Sequence, residues 1–131
     1  MNFIIDTEKS VEQAATDLAA AVQRHGFGVL HVYDMKDTLK KKGFDLPAEC
    51  RILEVCNPAQ AVKVLTTDMS LNMALPCRVS VYEDNGRTRI GMIPPTQLLG
   101  LLSNDSALAA TAEEIEAAIK VMIEEAANPG R

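Results

Sequence analysis

Three side chains in this sequence are of types that bind soft metals or carry out thiol chemistry: Cys56, Cys77 and His31. Cys56 directly precedes Asn57 and Pro58, a preferred capping residue followed by a proline, and this pair predicts the start of a helix. The free amide groups and the dipole at a helix start favour an anion, so we expect the pKa of the Cys56 thiol to be lowered. Cys56 is therefore a candidate nucleophile.

Cys77 and His31 each lie in a segment whose apolar residues alternate as in a β-strand. Cys77 shares a predicted strand face with Val79, and His31 shares one with Phe27 and Val29. If these strands are neighbours, the histidine and the two cysteines converge. Two thiolates and one imidazole suit Zn²⁺ or Cu(I), with a water, a methionine or a partner's side chain completing the coordination shell.

A purely structural interpretation of the same residues stays open. Buried cysteines behave as small hydrophobic side chains, and a single strand histidine usually has a backbone or side-chain partner. The sequence has no Cys-x-x-Cys or His-x-x-x-His spacing, which would hold two ligands on one element. Cys50 lies near a predicted loop, and we leave it out of the candidate site.

The elements that position these residues are predicted from hydrophobic period and from capping residues. Ser10 and Gln13 have capping-box spacing ahead of an amphipathic helix, and Gly26 supplies its end. Asn85-Gly86 separates two alternating runs, residues 77–82 and 87–93, and predicts a tight hairpin. Residues 51–56 are predicted to form a strand, 59–67 a helix and 68–76 a loop.

Thr111 and Glu114 form a second capping box, which predicts that the last long helix begins there. A hairpin and further strands between a long first helix and a long last helix favour the α+β class, with an antiparallel sheet and helices packed on one face. A doubly wound nucleotide-binding fold is disfavoured, because no glycine-rich turn leads from a strand into a helix.

Composition limits the classes of partner. The 131 residues predict one domain over residues 1–131, and the net charge of −5 argues against binding to nucleic acid. No apolar run approaches the roughly 20 residues that span a bilayer, and residues 1–6 lack the basic flank of a signal peptide. Three cysteines, an odd number, fit a reducing compartment. We therefore expect a cytoplasmic protein with free thiols and no membrane partner.

Several stretches resemble the domain of unknown function 302 family: His25-Gly26-Phe27, Val32-Tyr33-Asp34, residues 39–44, Val55-Cys56-Asn57-Pro58 and Leu75-Pro76-Cys77-Arg78-Val79. Together they span most of the chain. The resemblance implies a TATA-binding-protein-like arrangement, in which a strand and a helix are followed by several antiparallel strands and a final helix. It also implies a homodimer. The helix predicted after Pro58 is an addition to that pattern, and the resemblance implies no catalytic residue.

These observations lead to one main prediction of function and two alternatives. The main prediction is a homodimeric module that binds a small ligand or a soft metal, Zn or Cu, in a pocket lined by Cys56, Cys77 and His31. The first alternative is a thiol-based enzyme or sulfur carrier with Cys56 as its nucleophile. The second is a structural or regulatory homodimer without small-molecule chemistry. The sequence leaves open whether the protein is an enzyme.

Overall fold

The computed structural model describes residues 2–130, which form five strands, five α-helices and one 3-10 helix. The strands are β1 (Phe3–Thr7), β2 (Gly28–Asp34), β3 (Cys50–Cys56), β4 (Cys77–Asp84) and β5 (Arg87–Met92). The helices are α1 (Val11–Arg24), α2 (Met35–Lys41), α3 (Pro58–Thr67), α4 (Pro95–Leu102) and α5 (Ser106–Ala127). A 3-10 helix (Met69–Ala74) lies between α3 and β4.

All five strands belong to one antiparallel sheet in the order β1-β5-β4-β3-β2. The predicted hairpin joins β4 to β5 through Asn85 and Gly86, whose φ angles of 53° and 79° suit residues that tolerate the left-handed region. β1 pairs with β5, so β1 and β2 are the two edges of the sheet. The predicted α+β class, with an antiparallel sheet and helices on one face, is confirmed.

The main core lies between the sheet and the pair of helices α1 and α5. The hydroxyl of Ser10 accepts a hydrogen bond of 3.0 Å from the backbone N–H of Gln13, as the capping-box spacing predicts. Leu18 and Val22 of α1 and Ile119 of α5 are fully buried in this core. The buried strand side chains beside them are Leu53, Val55, Val79, Val81, Ile90 and Met92.

A second, smaller core lies where α3, the 3-10 helix, α4 and the first half of α5 meet. Its buried residues are Val64, Leu71, Leu99, Leu108 and Ala112. The segment predicted to be a loop over residues 68–76 supplies Leu71 to this core, because it folds into the 3-10 helix capped by the carboxylate of Asp68. The helix predicted after Pro58 is present as α3.

The last helix begins five residues before the predicted start. Asp105 caps it by accepting a hydrogen bond of 2.9 Å from the N–H of Leu108. Thr111 is buried inside the helix, where its hydroxyl donates to the carbonyl of Ala107 at 3.2 Å. The predicted start at Thr111 and Glu114 was wrong because the alanine-rich stretch before it is also helical and buries Leu108.

Candidate functional site

Cys56 and Cys77 lie at the same end of two neighbouring strands. Cys56 is the last residue of β3, and Cys77, the first residue of β4, is the sheet partner of Val55. Together with Phe27 and Val64, among others, the two cysteines line a cavity of about 20 Å³. A cavity of that size holds about one water molecule. The cysteine cavity is thus too small for an organic ligand.

Burial raises the pKa of all three thiols, because desolvation penalises the charged thiolate. The effect is largest for Cys77, where burial and then the neighbouring Cys56 raise the pKa to about 11. For Cys56 burial raises the pKa as well. The expected lowering of the Cys56 pKa at the start of α3 is therefore not found, because desolvation of the thiolate raises it.

His31 lies on the other face of the sheet from Cys77. The register of β2 against β3 shifts between Val29, which pairs with Val55, and His31, which pairs with Glu54. This β-bulge breaks the alternation that the sequence suggested, so His31 does not share a face with Val29. The side chain is exposed, and its ring makes an edge-on contact with Tyr33 at a centroid distance of 4.3 Å.

The predicted convergence of Cys56, Cys77 and His31 does not occur. Across residues 2–130, no three histidine, cysteine, aspartate or glutamate side chains are placed so that they could hold a metal ion together. The bulge in β2 is the physical reason, because it turns the histidine away from the two thiols. The two cysteines alone supply fewer ligands than a Zn²⁺ site requires.

A larger opening, which we call the outer groove, lies on the face of the sheet opposite α1 and α5. It has a volume of about 500 Å³. Glu54 of β3 and Arg78 and Ser80 of β4 form its polar side. Its apolar side is formed by the 3-10 helix, the segment after it, the end of β5 and α4, through Met73, Leu75, Pro76, Ile93 and Leu98.

The polar side of the outer groove is built by cross-strand pairing. Arg78 and Glu54 are partners in the register of β3 and β4. The hydroxyl of Tyr33 donates a hydrogen bond of 2.9 Å to Glu54 Oε1, and this bond raises the pKa of the tyrosine. In the part of the chain that the structure describes, the guanidinium of Arg78 and the hydroxyl of Ser80 make no hydrogen bond or ion pair. The groove therefore presents the hydrogen-bond donors of Arg78 and Ser80 beside the carboxylate of Glu54, which already accepts a hydrogen bond from Tyr33.

Residues 3–126 match the family described as domain of unknown function DUF302. The chain belongs to the DUF302 family. Its fold is also that of a solved structure, the crystal structure of an uncharacterized conserved protein DUF302 from Bacillus stearothermophilus, with a TM-score of 0.89 and 34% sequence identity. The superposition covers 95% of this chain and 97% of that chain. The predicted family resemblance is confirmed.

Comparison with curated proteins gives no match to this DUF302 domain. Among residues 2–130, none of the helices combines the length and the apolar character needed to cross a bilayer. The chemistry of the DUF302 domain must therefore be inferred from its own side chains.

The residues that line the outer groove were not predicted as a site. The alternation in β4 does place Arg78 and Ser80 on the face opposite Cys77, and this pattern indicates that the two polar side chains point away from the core. It does not show that Glu54 of another strand lies beside them, because the register between β3 and β4 is needed for that. The sequence also gives no sign that residues 69–76 fold back to form a wall of the groove.

Proposed function

We propose that this DUF302 domain is a small-ligand-binding module whose site is the outer groove. The observation that carries the proposal is an opening of about 500 Å³ with a polar side and an apolar side. Ligand sites in proteins are typically concavities of about 300–1,000 Å³ with mainly apolar walls and a few converging polar groups. The cysteine cavity, at about 20 Å³, lacks this capacity.

The composition of the walls supports the same proposal. Met73 is 74% exposed and Ile93 is 49% exposed, although both are apolar and lie at the groove. A ligand seated between them removes this apolar surface from water, which stabilises the complex by about 25 cal/mol for each Å² covered. The donors of Arg78 and Ser80 on the opposite side then fix its orientation.

The proposal is tested with two variants that add the same bulk to α4. Leu98 lines the outer groove, so Leu98→Trp narrows it, whereas Leu101 is 83% exposed and lies outside the groove lining. Amide NMR spectra are recorded while the wild type, Leu98→Trp and Leu101→Trp are titrated with a set of small anionic, cationic and neutral fragments. Circular dichroism checks that both variants fold.

We expect at least one fragment to shift the amide signals of Arg78, Ser80 and Ile93 in the wild type and in Leu101→Trp. The same fragment should not shift these signals in Leu98→Trp. The proposal fails if no fragment moves these signals, or if the shifts persist unchanged when the groove is filled.

We further propose that two copies of the chain associate through the edge strand β2. Leu30 and Val32 of this strand are 60% and 44% exposed, and apart from the β-bulge after Val29 the strand contains no feature such as a lysine or a proline that blocks pairing with another strand. Its one acidic residue, Asp34, lies at the strand end. An antiparallel pair about a two-fold axis therefore keeps the two carboxylates a strand length apart.

Sedimentation of two valine variants tests this association. Val32 is 44% exposed in β2 and Val121 is 42% exposed in α5, so replacement by lysine introduces the same charge at two equally accessible positions. We expect the wild type and Val121→Lys to sediment as dimers and Val32→Lys as a monomer. A monomeric wild type, or a dimeric Val32→Lys variant, rules out this interface.

A further inference from the structure

Most arginines of this domain lie close to a carboxylate. Within residues 2–130, three of them form close ion pairs, Arg24 with Glu125 and Arg87 and Arg89 with Asp6, whereas Arg51 lies 3.9 Å from Asp34 and its Nε has no hydrogen-bond partner. Arg78 is the one arginine in that range without an ion pair, close or long. The chain carries a net charge of −5, so carboxylates are plentiful, and an unpaired guanidinium is an exception here.

The nearest acidic residue across the sheet does not engage Arg78. Glu54 is its register partner, but the hydrogen bond to that carboxylate comes from the hydroxyl of Tyr33 at 2.9 Å. Arg78 is instead exposed and lines the outer groove. It therefore provides several planar N–H donors at the wall of a cavity.

Ser80 adds a second donor on the same face of β4. Residues two apart in a strand point to the same side of the sheet, so Ser80 follows Arg78 along the groove. A guanidinium and a neighbouring hydroxyl match the two oxygens of a carboxylate, because guanidinium groups bind carboxylates through parallel N–H bonds. These two donors of β4 are thus complementary to an anion, while Glu54, which already accepts the hydrogen bond from Tyr33, lies opposite Arg78 on β3.

The remaining walls are complementary to an apolar chain. Met73, Leu75 and Leu98 face the groove, and Ile93 stands half exposed at its side. A second opening of about 140 Å³ on the outer face lies beside the groove and shares Ser80, Met92 and Ile93 with it. This shape accommodates a ligand with a charged head and an elongated apolar body.

We propose that the ligand of the outer groove is an aliphatic monocarboxylate, whose carboxylate binds Arg78 and Ser80 and whose hydrocarbon chain lies on Met73, Leu75, Ile93 and Leu98. This inference rests on the proposed ligand-binding function of the groove and specifies its chemistry. Binding is non-covalent, and the positive charge of Arg78 selects the anionic head over neutral and cationic heads of the same chain length.

Three probes with one hydrocarbon chain and different heads test the inference: octanoate, octanol and octylammonium. Their dissociation constants are measured by amide NMR titration, below the concentrations at which they self-associate. We expect octanoate to bind at least about tenfold more tightly than the other two, the scale of one hydrogen bond to a charged group. Acetate, which lacks the chain, is expected to bind more weakly than octanoate.

Two arginine variants assign the selectivity to one side chain. Arg78→Gln is expected to weaken octanoate binding about tenfold and to leave octanol binding unchanged. Arg87→Gln is the control, because Arg87 also carries a positive charge on the outer face but is paired with Asp6 at 3.0 Å and lies outside the groove. Ser80→Ala is expected to weaken octanoate binding by a smaller factor.

The outcomes separate this inference from the proposed function. If octanol or octylammonium binds the groove as tightly as octanoate, or if Arg78→Gln leaves octanoate binding unchanged, the carboxylate inference is wrong while the groove remains a ligand site. If the fragment titrations also leave the amides of Arg78, Ser80 and Ile93 unmoved, the proposed function itself fails.

Discussion

At the residue scale, the cysteines of this domain are weak candidates for nucleophilic chemistry. A reactive cysteine requires a positively charged or helix-dipole environment that favours its thiolate. At Cys77 burial and then the neighbouring Cys56 instead raise the pKa to about 11. The Cys77 thiol is therefore protonated at neutral pH.

Thiol labelling measures this directly. We expect Cys77 to be alkylated the most slowly of the three cysteines at neutral pH, and the rates for Cys50 and Cys56 to stay below that of an unstructured cysteine, because burial raises each pKa. Labelling by iodoacetamide is followed by peptide mass spectrometry at several pH values. The denatured chain is the control, in which the three thiols should react alike.

A Cys56 thiol that reacts faster than free cysteine at neutral pH, with a rate that falls as the pH is lowered, would contradict this expectation. It would also restore the thiol-based enzyme as an explanation of the site.

At the element scale, β5 is tightly fitted against the edge strand β1. A Cβ atom on Gly91 would lie 2.9 Å from Cγ1 of Ile4 and 3.1 Å from the carbonyl oxygen of Phe3. The first contact can be relieved by rotation of a side chain, but the second is with the backbone. The glycine therefore leaves room for Ile4 and the backbone of Phe3 at this position of the pair.

Two glycine-to-alanine variants test this fit. Gly91→Ala is expected to lower the free energy of unfolding by about 1–3 kcal/mol, because the methyl group overpacks the sheet. Gly100, in the interior of α4, has no atom within 4 Å of the corresponding Cβ position. Gly100→Ala is therefore expected to raise the free energy of unfolding by about 0.5–1 kcal/mol through helix propensity. Urea denaturation measures both, and equal changes for the two variants would refute the argument.

The elements also show which features of this fold are encoded locally. The cap of α1 at Ser10, the hairpin at Asn85-Gly86 and the start of α3 at Asn57 each depend on a few consecutive residues, and each was predicted. The bulge after Val29 was not, because it depends on how β2 fits against β3. That single inserted residue decides on which face His31 lies, and so it removed the histidine from the predicted site.

At the scale of the whole molecule, α5 connects the two cores. Leu108 and Ala112 belong to the smaller core, whereas Ile115 and Ile119, one and two turns further on, belong to the main core. A helix transmits the loss of packing at one end to the other, because its hydrogen bonds are cooperative. The walls of the outer groove and the sheet beneath them should therefore unfold together.

Two core substitutions test this coupling. Leu71 of the smaller core and Ile119 of the main core are both fully buried. Leu71→Ala and Ile119→Ala are each expected to lower the free energy of unfolding by about 2–5 kcal/mol. Leu101→Ala is the control, since that side chain is 83% exposed and its loss should change stability by less than about 0.5 kcal/mol.

Urea unfolding of each variant is followed by circular dichroism, which reports the helices, and by tyrosine fluorescence, which reports the outer face of the sheet. The chain has two tyrosines and no tryptophan, so the fluorescence signal comes from the sheet alone. We expect one shared midpoint for the two signals. Separate midpoints in Leu71→Ala would mean that the smaller core unfolds by itself.

The pairing of the first strand with the last has a consequence for the order in which the chain becomes structured. β1 has no partner in the sheet until residues 87–92 are available, and α1 has no helix to pack against until α5 is made. During synthesis at about 5–20 residues per second, α1 can pack on β2, β3 and β4 as they appear, but β1 waits several seconds for its only strand partner. The amino-terminal segment is thus the part of this protein for which a chaperone has the longest opportunity to bind.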